Sequence, residues 1–284
     1  MPSRPLSVDP SRTVGLRRTA VAELRRRFAA LARSLPADPT AMRDYLREAG
    51  ARRLTEGEGS DDYWMTPFLR TSYGRGIDRA FVGVRSQSPE GGRNPLFRQG
   101  AKDQFRDIIS GGEGFGDLDD LSRTGMQSIL DHIRTKASQA ITKGRRSKKS
   151  AKVIRDEVTA EIRKALNVRA IPLVMDGIVG AAAEGQLDAF QARGITKVKV
   201  DAELVTAGDD RVCPKCAPLE GKVYSIRQAR GVIPLHPRCR CAWRPVVISS
   251  AVVKPDVPVR RGKRKAVKPR VRQRKARPVR KPRR

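Results

Sequence analysis

The chain has 284 residues and a formal net charge of +30, from 60 Lys or Arg against 30 Asp or Glu. Hydrophobic residues make up 38% of the chain and aromatic residues only 5%, so it can bury one large or two modest cores but not its whole length. No stretch in the sequence approaches the roughly twenty apolar residues that cross a bilayer, so we expect no membrane span.

Apolar residues recur at helical spacing through the first two thirds of the chain. This periodicity predicts amphipathic helices near residues 14–35, 68–81, 118–141, 154–166 and 173–193. A polar segment rich in Gly and Pro, at about residues 85–116, predicts a loop insertion between the second and third helices. In the second helix, Gly74 and Gly76 weaken the helix but permit a neighbouring element to approach closely.

Beyond Gly194 the apolar period changes from about 3.6 to 2, which indicates strands. Short strands are predicted near residues 198–204, 223–226 and 242–248. The fold class is therefore mostly α (α+β). We expect a helical body over residues 1–168, a C-terminal domain with a small sheet over 169–250, and a disordered polybasic tail over 251–284.

All four cysteines and one of the two histidines lie in one short window, Cys213-Pro-Lys-Cys216 followed by His236-Pro-Arg-Cys239-Arg-Cys241. A Cys-x-x-Cys turn presents two thiolates at the separation that tetrahedral zinc requires, and the second run supplies an imidazole and further thiolates. Five candidates compete for four positions. We predict structural Zn²⁺ on Cys213, Cys216, His236 and Cys239, with Cys241 as a substitute or spare ligand.

Two alternatives to a metal are an unmetallated thiol cluster and a pair of disulfides. The first ten residues contain no apolar core of signal-peptide length, so we expect a reducing compartment, which disfavours disulfides. A zinc deaminase is excluded because His132 is followed by Ile133 and Arg134 and so lacks the acid–base glutamate. The acidic residues beside the motif, Asp209, Asp210 and Glu220, are interpreted as caps or solvated side chains, and we expect a protein that is not an enzyme.

The segment from Arg260 to Arg284 contains 15 Lys or Arg in 25 residues and no acidic residue. Such a segment neutralises phosphates and releases their counterions, which favours a polyanion partner over a solubilising tail or an acidic protein surface. The predicted nucleic-acid-binding residues are Arg260, Arg261, Lys263, Arg264, Lys265, Lys268, Arg270, Arg272, Arg274, Lys275, Arg277, Arg280, Lys281, Arg283 and Arg284.

Two runs that enclose the Cys/His motif carry a family resemblance. Residues 203–224, which contain Cys213-Pro-Lys-Cys216 and the following Leu-x-Gly, and residues 233–241 resemble the signature of the phage head morphogenesis family, minor head proteins similar to protein F of phage Mu. The chain departs from that pattern at Arg238, where an asparagine is common, and at the run that contains Asp176.

This resemblance implies a minor capsid protein that acts in head morphogenesis at or near the portal vertex. The implied partners are the portal protein and other capsid components, and the implied location is the head interior of the virion, with the host cytoplasm during assembly. The basic tail is not part of the family signature, so its contact with packaged double-stranded DNA is our own inference from charge. The alternative is a free zinc-knuckle nucleic-acid-binding accessory protein in the host cytoplasm.

Overall fold

The structure is a computed structural model that describes residues 10–57, 60–87, 113–195 and 199–249. The helices of this part are α1 (Val14–Arg33), α2 (Pro39–Arg47), α3 (Ala49–Thr55), α4 (Thr66–Gln87), α5 (Glu113–Arg146), α6 (Ala151–Ala165), α7 (Ile171–Ile195) and the single-turn α8 (Ile226–Ala229). The strands are β1 (Glu56–Gly57), β2 (Ser60–Tyr63), β3 (Lys199–Val205), β4 (Val223–Tyr224) and β5 (Ala242–Ser249). The predicted fold class is confirmed.

Two helix starts follow from local chemistry. The Asp38 carboxylate accepts hydrogen bonds from the backbone N–H groups of Thr40 and Ala41, and Pro39 occupies the first helical position of α2. The Ser150 hydroxyl accepts from the Val153 N–H at the start of α6. These caps satisfy N–H groups that the first turn of a helix leaves without an internal partner.

The most extensive helix contact in the described chain joins α4 to α7. A Cβ atom added at Gly76 would lie 2.0 Å from the Ala182 carbonyl oxygen, and one added at Gly185 would lie 2.2 Å from the Tyr73 carbonyl oxygen. The two backbones therefore touch at positions where only glycine fits. The buried Ser72 hydroxyl also donates to the Ile178 carbonyl oxygen across this contact, at 2.6 Å.

A π-helical turn, Leu166–Ala170, joins α6 to α7 without a break, so that one helix runs from Ala151 to Ile195. By length and composition alone, its stretch Ala151–Ala192 is apolar enough to cross a membrane. Half of the apolar window is buried inside the protein, and core helices of soluble proteins pass the same test. This stretch, longer than the sequence suggested, is therefore weak evidence of a span.

The C-terminal sheet is antiparallel with the strand order β4-β3-β5. Its register pairs Leu204 with Trp243, and both side chains are buried. Two glutamines cover the outer edge of β5: the Gln186 amide bonds the N–H and C=O of Trp243, and the Gln87 amide bonds the Pro245 C=O and the Val247 N–H. Four backbone groups at this edge, which could otherwise pair with a further strand, are thereby occupied.

Several boundaries differ from the sequence predictions. The loop expected at about 85–116 is shorter at both ends, because α4 continues to Gln87 and α5 begins at Glu113; residues 88–112 lie outside the described residues. The α2, α3 and β1–β2 elements were missed. The described residues all lie in one unit, Met1–Lys254, and the boundary expected at 168/169 falls in the π-helical turn. That division and the disordered tail stay predictions, the tail being outside the described residues.

The glycine contact yields a matched pair of substitutions in α4. We expect Gly76→Ala to destabilise the protein by about 1–3 kcal/mol or more, because the added methyl group meets backbone rather than a movable side chain. A Cβ at Gly74 has nothing within 4 Å, so Gly74→Ala should stabilise the helix by about 0.5–1 kcal/mol. Urea unfolding of both variants measures this, and equal effects would contradict the close approach.

Candidate metal centre

The first half of the Cys/His motif lies in the connection between β3 and β4. The Cys213 carbonyl oxygen accepts from the N–H groups of Cys216 and Ala217, both at 3.0 Å, which folds the Cys-x-x-Cys run into a tight turn. At the other end of the connection, Gly221 has φ +75° and its N–H donates to the Leu204 carbonyl oxygen. The turn is therefore held at the end of the sheet, as the sequence predicted.

The second half of the motif is a turn that leads into β5. The Cys239 N–H donates to the His236 carbonyl oxygen at 3.1 Å. His236 Nδ1 lies 2.8 Å from the Pro237 carbonyl oxygen, which can only accept, so this contact favours the hydrogen on Nδ1; in the neutral imidazole Nε2 then keeps its lone pair. A histidine oriented by a carbonyl in this way has the tautomer that metal ligation through Nε2 requires.

The structure brings all five predicted ligand residues together in two overlapping groups. Cys213, Cys216 and His236 form one group, and Cys216, Cys239 and Cys241 form the other; within each, the ligand atoms lie within 4.8 Å of one another. His236 Nε2 lies 3.1 Å from the Sγ atoms of both Cys213 and Cys216. Cys216 belongs to both groups and is the centre of the cluster, which could hold a metal ion.

Hydrogen bonding and burial give the four thiols different pKa values. A hydrogen bond from Cys241 lowers the pKa of Cys239 to about 5, and the same contact, with burial, raises the pKa of Cys241. Burial raises the pKa of Cys216 to about 12. Burial acts to raise the pKa of Cys213. Hydrogen bonds, above all the one from the Cys216 N–H, have the larger combined effect, so the pKa of Cys213 is lowered. The polypeptide alone thus favours a thiolate at Cys239, the form that binds metals.

The acidic residues beside the motif have structural partners. Both carboxylate oxygens of Asp209 accept from the Arg240 guanidinium at 2.6 Å, which ties the first turn to the second. Hydrogen bonds from Arg240 hold the pKa of Asp209 well below its usual range. The Glu220 carboxylate accepts from the Thr206 N–H at 2.5 Å. Both carboxylates are therefore engaged in structural hydrogen bonds.

Asp176, on α7, is a supporting residue that the sequence analysis did not assign. Its carboxylate accepts from the Arg238 N–H at 2.9 Å. Arg238 has φ +64°, a left-handed conformation that costs a non-glycine residue roughly 1–2 kcal/mol and that asparagine tolerates better. No local signal links Asp176 to Arg238, because 62 residues separate them.

A second anchor joins α7 to the loop before His236. The Arg230 guanidinium donates to the side chains of Glu184, Asp188 and Gln191, and the Gly231 N–H donates to the Glu184 carboxylate at 2.9 Å. The Tyr73 hydroxyl, from α4, donates to the same Asp188. The helix pair that forms the core therefore also holds the loop that carries the second half of the motif.

The predicted nucleic-acid-binding residues, from Arg260 to Arg284, lie outside the described residues. Their role stays a prediction from charge. Of the predicted site residues, the structure therefore describes only the predicted metal ligands.

The fold and the Cys/His cluster define the class: a mostly helical protein with a small cysteine-bearing antiparallel sheet. Residues 131–244, from α5 into β5, match the family model described as phage Mu protein F like protein. The predicted resemblance is confirmed over this segment, and it indicates a phage head-related protein. No curated protein and no solved structure matches the chain significantly.

The contact between Asp176 and Arg238 can be tested by a pair of substitutions. Asp176→Ala removes the acceptor of the Arg238 N–H and should lower the free energy of unfolding by about 1–2 kcal/mol. Asp176→Asn keeps an oxygen acceptor and should cost less. Urea denaturation of both variants measures the difference, and equal losses would show that the hydrogen bond does not support this turn.

Proposed function

We propose that the protein is a phage minor head protein that acts in head morphogenesis at or near the portal vertex. The observation that carries this proposal is the family match over residues 131–244, which includes the whole Cys/His motif. The partners we infer are the portal protein and other capsid components. The protein would reside in the head interior of the virion, after assembly in the host cytoplasm.

We further propose that the Cys/His cluster holds a structural Zn²⁺ ion. Four thiols and one imidazole are the donor set that zinc prefers, and the orientation of His236 by the Pro237 carbonyl oxygen suits ligation through Nε2. Zinc would crosslink the two turns of the motif. The expectation that the protein is not an enzyme draws support from Asp209 and Glu220, whose carboxylates are engaged in structural hydrogen bonds.

The rival proposal of a free nucleic-acid-binding protein of zinc-knuckle type has weaker support. Base recognition near such a motif uses exposed aromatic side chains. Trp243 is only 1% exposed, and its ring packs edge-on against that of Tyr224, with the centroids 5.6 Å apart. These aromatic rings serve the core of the C-terminal sheet, which leaves the head-protein proposal as the better supported one.

Quantitative mass spectrometry of purified, nuclease-treated phage heads tests the proposed function. We expect a few protected copies of this chain per head, counted against the portal protein of the same particles. Absence from both procapsids and full heads would overturn the proposal and favour the free protein.

The metal proposal predicts different effects for two cysteine variants. Cys213→Ser with Cys216→Ser removes two proposed thiolate ligands, one of which, Cys216, belongs to both groups, so metal should be lost and the C-terminal sheet should unfold. Cys241→Ser, the same chemical change at the predicted spare ligand, should retain the metal. Metal content and thermal melting measure both, and a double variant that melts like the parent would contradict a structural metal.

For the tail, we propose that the 15 cations between Arg260 and Arg284 contact packaged double-stranded DNA. Replacement of these residues by Gln should weaken binding to a duplex and flatten its dependence on salt, because fewer counterions are released. The slope of log affinity against log salt concentration measures this. An unchanged slope would show that the tail does not contact DNA.

A further inference from the structure

A groove of about 760 Å³ runs along the C-terminal half of α5. Its lining carries three cations, Arg134, Lys143 and Arg146, together with hydroxyl side chains and one glutamine amide, and no carboxylate. Cations and neutral hydrogen-bond donors are the groups that contact phosphate oxygens in protein–DNA interfaces. The lining contains no aromatic ring, so base stacking is not available there.

The cations of the groove differ in how they are engaged. Arg134 is fixed: it pairs with Asp131 at 2.9 Å and donates to the carbonyl oxygens of Leu46 and Arg47. Lys143 and Arg146, by contrast, are exposed and form no ion pair with any residue that the structure describes. Two cationic side chains in the groove are therefore available to an external anion.

The turn after α5 extends this positive surface. Lys148, in the turn between α5 and α6, is exposed with φ +51°. Two neighbouring cations are engaged, since Arg145, in the last turn of α5, donates to the Thr40 hydroxyl and Lys149 pairs with Glu157. Two carboxylates near this surface, Asp131 and Glu157, have cationic partners in Arg134 and Lys149, and a third, Asp38, lies near Arg145.

We propose that this groove binds the phosphate backbone of duplex DNA, in addition to the contact proposed for the basic tail. The lining from Arg134 to Ser147 follows about 20 Å of helix at ~1.5 Å per residue, which equals the span of about six phosphates on one strand. The hydroxyl groups of Thr135 and Thr142 donate to carbonyl oxygens of α5, so the argument rests on the cations. Charge and the lack of aromatic rings in the lining favour duplex over single strands. This inference rests on the proposed function, because it takes the DNA packaged in the phage head as the partner.

The test uses the full chain and a random-sequence duplex titrated with salt. The variant K143Q/R146Q removes two groove cations, and R18Q/R25Q removes two exposed cations of α1 as the control with the same change in net charge. We expect K143Q/R146Q to reduce the slope of log affinity against log salt by about 2, since each phosphate contact contributes about 0.9, and the control to leave it unchanged.

Three outcomes overturn the proposal. Equal effects of the two variants would indicate only a general charge effect, and no effect of either would exclude the groove. A loss of binding to polyglutamate with unchanged DNA binding would assign the groove to an acidic protein segment. The tail replacement, measured alongside, separates the two proposals: if it alone flattens the slope, the tail contact stands and the groove contact fails. Circular dichroism confirms that each variant is folded.

Discussion

The contact on which the rest of the structure depends is the approach of α4 and α7 at two glycines. A side chain at Gly76 or Gly185 would overlap a carbonyl oxygen of the other helix, so the two backbones are fixed against each other without intervening side chains. Ser72 adds a hydrogen bond from one helix into the backbone of the other. Side chains of α7 also hydrogen-bond the second half of the Cys/His motif and the loop before it. The position of α7 therefore determines where this part of the motif lies.

Three residues of α7 hold three separate points of the C-terminal region. Asp176 binds the backbone of the second turn, Glu184 binds the loop before it, and Gln186 binds both backbone groups of Trp243. The five candidate ligands are thus gathered by contacts of the polypeptide itself. A metal bound there would close a cluster whose parts are already adjacent, which limits the conformational entropy that binding must overcome.

Ion pairs within the protein engage some of its cationic side chains and leave others exposed without a partner among the described residues. In the C-terminal sheet and its turns, Asp209 pairs with Arg240 and Glu203 pairs with Arg244, so these acids and bases serve the fold. The groove along α5 keeps unpaired cations among the described residues, and the tail sequence contains no acid at all. Arg18 and Arg25 of α1 are exposed as well. The tail therefore differs from the described surface in its density of positive charge and its lack of acidic residues.

The sequence by itself determined the helices with strong apolar periodicity, the three C-terminal strands, the candidate ligand residues and the family resemblance, because periodicity and Cys/His spacing are local properties. It suggested a close approach in α4 but could not identify Gly76 over Gly74. The short elements between residues 39 and 63 carry too few turns for a periodic signal. Only the tertiary structure decided that Asp176 supports Arg238 and Gln186 covers Trp243, since 62 and 57 residues separate these partners and packing alone brings them together.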